Sequence, residues 1–104
     1  MENKHVAWSS IAARDYHDAT RWYTEEGGEE VATRFTAAVE QVLEDVAAFP
    51  SLSSRRYAEA LGFESLRFRE IPRFPYLIFY IEFEKHVVIW RVLHRERDLP
   101  QQLA

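Results

Sequence analysis

Apolar and polar positions follow two different periods along the chain, helical in the first half and alternating in the second. The segment 4–8, Lys-His-Val-Ala-Trp, comes first and is predicted to form a short strand. Ser9 follows it, and its hydroxyl is suited to accept a hydrogen bond from a free N–H group at the start of a helix. We therefore predict that a first helix begins at Ser10, directly after that strand.

Two glycines divide the helical half of the sequence into two segments. Apolar residues recur at spacings of three and four on both sides of Gly27 and Gly28, which is the period of an amphipathic helix. These residues are Ile11, Ala12, Tyr16, Ala19 and Tyr23 before the glycines, and Ala32, Phe35, Val39, Val42, Val46 and Phe49 after them. Pro50 disfavours helical geometry at the residue before it, so the second helix is predicted at 29–48. The two helices form a predicted antiparallel hairpin.

After a polar loop at 51–56 the sequence predicts four more strands. They lie at 56–61, around Leu66 and Phe68, at 76–83 and at 87–93. Pro72 and Pro75 separate the second of them from the third, because proline cannot donate a hydrogen bond to a sheet. The predicted fold is α+β with the order β-α-α-β-β-β-β, in which a helical hairpin packs on one face of a mainly antiparallel sheet. With 104 residues, the chain is expected to form a single domain, 1–104.

The predicted strand at 76–83 is apolar on both of its faces. By alternation, one face carries Leu77, Phe79, Ile81 and Phe83, and the other carries Tyr76, Ile78 and Tyr80. A strand of this kind is usually central in its sheet and covered on both sides. The helical hairpin covers one side, so we expect loops, the carboxyl-terminal tail or another protein to cover the other.

Charge is unevenly distributed between the halves of the chain. The formal net charge is −4, but residues 1–52 carry 4 basic and 10 acidic side chains, whereas residues 53–104 carry 9 basic and 7 acidic ones. Of the 13 basic residues, 11 are arginine, which binds carboxylates and phosphates through paired hydrogen bonds. An acidic protein does not bind nucleic acid through its overall field, so direct sequence-specific DNA binding is not expected. A local arginine patch in the second half is still compatible with this balance.

The sequence lacks the features of a secreted, membrane-bound or cofactor-dependent protein. It has no cysteine, no apolar run of about 18 residues and no basic segment followed by an apolar one at its start, so we expect a cytoplasmic protein without membrane contact. It has no glycine-rich phosphate-binding motif, and its four histidines have no short metal-ligand spacing, so neither a cofactor nor a metal is expected. Asp15 and Asp18, neighbours on one helix turn, are interpreted as part of a solvated face.

Basic residues are concentrated near the end of the predicted sheet. They are Arg67 and Arg69 on one strand, and Arg91, His94, Arg95 and Arg97 at the end of the last strand. If these strands are neighbours, the side chains converge on a single basic rim. Cations stabilise a pentavalent phosphate and an imidazole transfers a proton, so Arg67, Arg91 and His94 are candidate catalytic residues of a metal-free ribonuclease. Alternatively, ion pairs neutralise the cluster, and the acidic residues available nearby in sequence are Glu70, Glu96 and Asp98.

Five segments of the sequence, taken in order, resemble the ParE/RelE superfamily of bacterial type II toxins. They are WSSIAARDYHDATRWY at 8–23, FP at 49–50, SLRFREI at 65–71, FPYLIFY at 74–80 and VVIWRVLHRERD at 87–98. In the first segment Ala12 and Asp15 lie three residues apart as in the family, and in the third Arg67 matches the family's leading arginine. The ending that runs from Arg91 through His94 is similar to the ParE branch, whose members are also described as plasmid stabilization system proteins.

This resemblance implies a toxin that a cognate ParD-like antitoxin holds inactive by wrapping its helical hairpin and sheet. ParE-like toxins inhibit DNA gyrase, whereas RelE-like toxins enter the ribosome and cleave mRNA with Lys, Arg, His and Tyr residues. The acidic net charge and the absence of a tyrosine after Tyr80 favour the first branch. Inhibition of gyrase by protein–protein interaction is therefore the expected function. The alternatives are a ribosome-dependent mRNA endoribonuclease and a non-toxic remnant that only binds an antitoxin.

The predicted contact surface for the target or the antitoxin is the basic rim and the tyrosines beside it. Its residues are Arg67, Arg69, Tyr76, Tyr80, Arg91, His94, Arg95 and Arg97. The acidic hairpin and the basic rim are each expected to meet the opposite charge on the antitoxin.

Overall fold

In the computed structural model, which describes residues 3–104, a bent helical segment packs on one face of a four-stranded sheet. Met1 and Glu2, at the start of the amino-terminal segment discussed above, lie outside the described residues. The elements are β1 (His5–Trp8), α1 (Ser10–Ala48), a 3-10 turn (Pro50–Leu52), β2 (Leu66–Glu70), β3 (Tyr76–Glu82), β4 (His86–His94) and α2 (Leu99–Leu103). The predicted α+β class and the helical hairpin on one face of the sheet are confirmed.

The sheet has the strand order β1-β4-β3-β2. β1 is parallel to β4, whereas β4 with β3 and β3 with β2 form antiparallel pairs. β3 is therefore central, as its two apolar faces predicted, and β4 is central beside it. β2 lies at the edge and is separated from β4 by the whole width of β3, which decides where the charged residues of the two strands can meet.

The helical segment folds back on itself at Gly28. This residue has φ 83° and ψ 173°, a conformation in the positive-φ range that glycine adopts without a steric penalty. The rings of Tyr23 and Phe35 lie 4.9 Å apart, although 12 residues of a straight helix would separate them by about 18 Å. α1 is therefore a hairpin with a first arm at 10–27 and a second arm at 29–48. The predicted N-cap is confirmed, since the Ser9 hydroxyl oxygen accepts a hydrogen bond from the Ala12 N–H at 3.0 Å.

The apolar stripe of the second arm packs against the sheet as its spacing predicted. The buried residues of this arm that belong to the stripe are Ala32, Phe35, Val39, Val42 and Val46. Phe49 was predicted to continue the stripe, but its side chain is 53% exposed. The helix has already ended there, because Phe49 has φ −137° and precedes Pro50. Because Phe49 follows the end of the helix, the spacing that directs Val42 and Val46 into the core does not apply to its side chain.

The second face of the sheet is covered by the chain's own loop and tail. Leu77, Phe79 and Leu93 pack there against Ala58 of the loop and Leu99 of α2. The predicted strand at 56–61 is wrong. These residues form consecutive tight turns, in which the Leu61 N–H donates to the Tyr57 carbonyl oxygen at 3.0 Å. The spacing of Tyr57 and Leu61 is that of a helical turn, which the short apolar run did not distinguish from a strand.

Candidate interaction site

The two arginines of β2 lie on the helix-facing side of the sheet, where each has a partner within the chain. Arg67 pairs in register with Tyr80, which belongs to the core beneath the helices. The Nη1 atom of Arg67 donates a hydrogen bond to the Ser53 carbonyl oxygen at 2.7 Å, and this bond ties the loop after the second arm to the sheet. The Nη2 atom of Arg69 lies 3.5 Å from Oδ2 of Asp45. Arg67 is thus held by the fold, whereas Arg69 keeps a long ion pair at the surface.

Arg91, in the last strand, is paired with Asp15 of the first arm. Its Nε and Nη2 atoms donate to the two carboxylate oxygens at 2.7 and 3.2 Å. The same carboxylate accepts a hydrogen bond from the backbone N–H of Val92 at 3.0 Å. β1 ends at Trp8, which pairs with Ile89, so the edge of β4 beyond this point has no strand beside it. The start of the helix supplies the hydrogen bonds that a neighbouring strand would otherwise make.

The interpretation of Asp15 as part of a solvated face is therefore wrong. Its side chain is 17% exposed, and that of Arg91 is 20% exposed. Ala12 is fully buried against the sheet, and a residue three positions later lies on the same side of a helix. The spacing of Ala12 and Asp15 was thus a sequence indication that the carboxylate faces β4. Asp18 is exposed, as that interpretation expected.

His94 ends β4 and organises the turn that follows it. Its Nδ1 atom accepts hydrogen bonds from the backbone N–H groups of Glu96 and Arg97, at 3.1 and 3.0 Å. A ring nitrogen that accepts hydrogen bonds carries no proton, so the neutral ring holds its proton on Nε2. The ring also packs edge-on against Tyr76, with centroids 5.2 Å apart. In this arrangement Nδ1 supports the backbone and is not available to accept a proton from a substrate.

Arg97 and Asp98 form a second ionic group at this end of the sheet. The Nε atom of Arg97 donates to Oδ1 of Asp98 at 2.9 Å, and its Nη2 atom donates to the Tyr76 hydroxyl at 3.2 Å. Burial raises the pKa of the Asp98 carboxyl, but hydrogen bonds from Arg97 and from the His94 backbone outweigh burial, so the pKa lies below its usual value. The same contacts with Asp98 and Tyr76 raise the pKa of Arg97. The ion-pair interpretation of Asp98 is confirmed.

The two tyrosines of the predicted surface lie inside the protein. Tyr76 is 3% exposed and Tyr80 is fully buried. The Tyr80 hydroxyl donates a hydrogen bond to the Pro50 carbonyl oxygen at 2.6 Å, and burial raises the pKa of this hydroxyl. The exposed residues of the region are those of the turn after β4, namely Arg95, Glu96 and Arg97.

The single basic rim predicted from the sequence is not present. It required β2 and β4 to be neighbours, but β3 lies between them. Arg67 pairs with Tyr80, and His94 pairs with Tyr76, which lies four residues earlier in β3. Four residues along a strand and two strand spacings place the backbones of Arg67 and His94 about 16 Å apart. Arg67 therefore does not share a site with His94. Arg67 and Arg91 are bound to different partners, the Ser53 carbonyl oxygen and Asp15, so the predicted convergence is wrong.

A shallow cavity of about 300 Å³ lies between the first arm and the end of β4. Its charged lining residues Arg91 and Arg97 are paired with Asp15 and Asp98, and the exposed Asp18 also lines it. Across residues 3–104, no three His, Asp or Glu side chains are grouped so as to hold a metal ion. In the same residues, no helix is both long enough and apolar enough to cross a membrane.

The sequence matches, over residues 6–99, the family described as "ParE toxin of type II toxin-antitoxin system, parDE". The chain belongs to the ParE toxin family. In its fold, this ParE toxin is similar to a solved chain described as "Chromosomal ParDE TA system from P. aeruginosa", with a TM-score of 0.65 and 22% sequence identity over 89% of this chain and 97% of that one. No curated protein matches the chain in sequence.

The family match confirms the resemblance drawn from the five sequence segments, including the ParE branch. It spans the chain from β1 to the residue after Asp98, so it includes both ionic groups at the end of the sheet. The likeness to the solved chain, at 22% identity, supports the ParE fold of a helical hairpin on a mixed sheet.

Proposed function

We propose that this ParE toxin inhibits DNA gyrase by protein–protein contact in the cytoplasm and is neutralised by a cognate ParD-like antitoxin. Membership of the ParE family supports the toxin and antitoxin parts of this proposal. The observation that carries the choice of target is the state of the three candidate ribonuclease residues. They are separated by the fold or already engaged within it, which favours a binding surface over a catalytic site.

Ribonuclease chemistry needs a base with a free nitrogen and cations that converge on one phosphate. His94 uses Nδ1 to hold the turn after β4. Arg91 is bound to Asp15 through two hydrogen bonds. Arg67 lies about 16 Å from His94, given two strand spacings and four residues along β3. His94, Arg91 and Arg67 are each engaged within the fold, Arg67 through the Ser53 carbonyl oxygen, and these contacts compete with a role in catalysis.

The turn after β4 is the part of the predicted surface best placed to contact a target. Arg95 and Arg97 are exposed, and the turn is fixed by three hydrogen bonds that involve His94 or Asp98. A charged loop that is already ordered loses little conformational entropy when it binds. We infer that Arg95 and Arg97 contact gyrase, and that the ion pair with Asp98 orients Arg97 for this contact.

The test is to induce the toxin alone in bacteria and to assay it with purified gyrase. We expect filamentation, a DNA damage response and intact mRNA, together with inhibition of supercoiling in vitro. Arg95→Glu should reduce this inhibition while the protein still binds its antitoxin, and the matched control Arg55→Glu, in an exposed loop, should leave inhibition unchanged. Cleavage of mRNA without DNA damage would contradict the proposal and favour the endoribonuclease. Absence of any growth effect would favour a non-toxic remnant.

A further inference from the structure

The shallow cavity between the first arm and the end of β4 has one charge that the fold leaves unpaired. Three carboxylates and two guanidinium groups line it, and they belong to Asp15, Asp18, Arg91, Arg97 and Asp98. Asp15 binds Arg91 at 2.7 Å and Asp98 binds Arg97 at 2.9 Å, so these four charges compensate one another. Asp18 is exposed and has no cation within ion-pair distance among residues 3–104. The cavity therefore carries one net negative charge that a ligand can reach.

Trp22 borders the same cavity one helical turn after Asp18. It is 49% exposed, although tryptophan is highly buried on average. Side chains four positions apart on a helix have Cβ atoms about 5–6 Å from one another, so the Asp18 carboxylate and the indole ring are neighbours. A cation is attracted both by a carboxylate and by the face of an aromatic ring within about 6 Å. Asp18 and Trp22 thus form a site for a cation, and we call this feature the Trp22 cavity.

The fold holds the two side chains in place. Asp15, one turn before Asp18, fastens the first arm to β4 through Arg91 and through the Val92 N–H. The Trp22 ring packs edge-on against the buried Tyr23, with centroids 5.2 Å apart. A site on a helix that is already packed loses little conformational freedom when a ligand binds. The Trp22 cavity is therefore preformed for binding.

The size of the Trp22 cavity restricts its ligand. A volume of about 300 Å³ lies at the lower end of the range for small-molecule pockets, and such pockets enclose most of their ligand, whereas this cavity is shallow. A side chain that belongs to another protein does not need this enclosure, because the surrounding surfaces of the two proteins supply the remaining contacts. Lysine and arginine carry a cation at the end of a long apolar stem, which suits a carboxylate beside an indole ring. A basic side chain of a partner protein therefore fits best.

We propose that the Trp22 cavity binds a lysine or arginine side chain of DNA gyrase. This inference rests on the proposed function and adds to it the location and chemistry of one target contact. Arg97 lines the cavity and also belongs to the turn after β4, so the two contact regions are continuous. The target then meets positive charge at Arg95 and negative charge at Asp18. A surface that presents both signs of charge fixes the orientation of its partner and disfavours wrong partners.

Charge reversal tests the carboxylate. Asp18→Lys is compared with Glu44→Lys, which makes the same change of charge at an exposed position of the second arm outside the cavity. Affinity for purified gyrase is measured by calorimetry at low and high salt. We expect a loss of about 50-fold for Asp18→Lys and of about fivefold for Asp18→Asn, with a weaker salt dependence, and a change of less than about twofold for Glu44→Lys. A folded Asp18→Lys variant with unchanged affinity, or equal losses in both lysine variants, would overturn the inference.

Substitutions of Trp22 test the chemistry of the contact. Trp22→Leu keeps an apolar side chain without an aromatic face, whereas Trp22→Phe keeps a smaller aromatic face. We expect the affinity for gyrase to fall about tenfold in the leucine variant and about threefold in the phenylalanine variant. The control Ile11→Ala, at a 52% exposed apolar position of the same arm outside the cavity, should change it little. Equal losses in the two Trp22 variants would show a purely apolar contact and would overturn the inference.

Hydroxyl-radical footprinting with mass spectrometry tests the location of the contact without any substitution. Oxidation of Trp22 should fall about fivefold or more when gyrase binds the wild-type toxin, because the ring is then covered. Phe49, which is 53% exposed and lies outside the cavity, serves as the internal control and should stay reactive. A complex in which Trp22 remains as reactive as in the free toxin would contradict the inference.

The wild-type toxin separates this inference from the proposed function. A wild type that neither binds nor inhibits gyrase would refute the proposed function, and the inference would fail with it. A wild type that inhibits gyrase no better than a folded Asp18→Lys variant would refute the inference alone. Circular dichroism and binding of the co-expressed antitoxin show whether each variant is folded, and we expect the cavity variants to keep both. Loss of antitoxin binding with full inhibition of gyrase would assign the cavity to the antitoxin and contradict the inference.

Discussion

The end of β4 and a groove along the second arm of α1 both present arginines, but they differ in what neutralises them. At the end of β4, Arg91 and Arg97 are bound to Asp15 and Asp98 at 2.7 and 2.9 Å. In the groove along the second arm of α1, Arg69 lies 3.5 Å from Asp45, and Arg34 and Arg73 have no carboxylate within ion-pair distance among residues 3–104. The first region pairs Arg91 and Arg97 within the chain and leaves Arg95 exposed, whereas the second pairs only one of its three arginines within residues 3–104.

This difference separates two uses of arginine in the same small protein. Asp15 also bonds to the Val92 N–H, so the pair with Arg91 closes the free edge of β4 and fastens the helix to the sheet. Arg34 and Arg73 form no ion pair within residues 3–104, and both lie beside apolar residues such as Phe74. Substitutions at the end of β4 should therefore change stability most, and substitutions in the groove should change binding most.

The largest effect on stability is expected for Asp15→Ala. It removes three hydrogen bonds and leaves the mostly buried Arg91 guanidinium and the Val92 N–H without partners. We expect a loss of about 2–4 kcal/mol in the free energy of unfolding, measured by urea denaturation. The control Asp18→Ala, at an exposed position of the same arm, should change it by less than about 0.5 kcal/mol.

The same measurement on Arg34→Ala/Arg73→Ala is the counterpart in the groove. Because neither arginine has an ion-pair partner within residues 3–104, the free energy of unfolding should change by less than about 0.5 kcal/mol. A loss comparable to that of Asp15→Ala would mean that the groove arginines stabilise the fold, and the distinction between the two regions would fail.

The elements of the fold could be predicted where a local period decides the structure. The stripe that includes Phe35 and Val42 and the cap at Ser9 depend on residues a few positions apart, and both were predicted correctly. The loop at 56–61 was mistaken for a strand because a short apolar run fits both a strand and a helical turn. Local patterns thus gave the class and order of most elements, although not the character of every short segment.

The candidate site was harder to predict, because it depends on which strands become neighbours. Arg67 and His94 belong to strands separated by β3, and no local pattern reveals that order. The partner of Arg91 is 76 residues away in sequence, at Asp15. Arg73 lies in a segment that sequence reasoning treated only as a break between strands. Pro72 indicates a turn there, but proline at the second position fits a type I turn as well as a type II turn, so the positive φ of Arg73 could not be predicted.

Removing the His94 side chain, which supports the turn after β4, should lower the free energy of unfolding less than Asp15→Ala does. His94→Ala deletes the acceptor for two backbone N–H groups, and we expect a loss of about 1–1.5 kcal/mol in the free energy of unfolding. His94→Asn should recover part of that loss, because a side-chain oxygen of asparagine can accept similar bonds in a turn. Growth inhibition should follow the stability of the turn, so the asparagine variant should be more toxic than the alanine variant. Equal loss of toxicity in both variants would indicate that the imidazole itself is required.

Acid should weaken the end of β4 through Asp98. Its pKa is lower in the folded protein than in the unfolded chain, so its contribution is complete above the unfolded value of about 3.9 and is lost as the pH falls through the folded value. We expect the free energy of unfolding to fall more steeply between pH 5 and pH 3 in the wild type than in Asp98→Asn, by less than about 1 kcal/mol. Parallel curves would show that the pair with Arg97 adds no stability.

A small effect of opposite sign is expected for Arg73→Gly in the turn between β2 and β3. Glycine adopts the positive φ of this position without strain, which gains about 1 kcal/mol, and part of this gain is offset by the greater freedom of glycine in the unfolded chain. The free energy of unfolding should therefore rise by about 0.5 kcal/mol, and Arg73→Ala, which keeps the strain, should not share the gain. Both variants lack the guanidinium and should bind the antitoxin more weakly. If Arg73 is retained for recognition, Arg73→Gly should be more stable than the wild type and should bind the antitoxin more weakly. A more stable Arg73→Gly variant with full affinity would show that the arginine has no role in this binding.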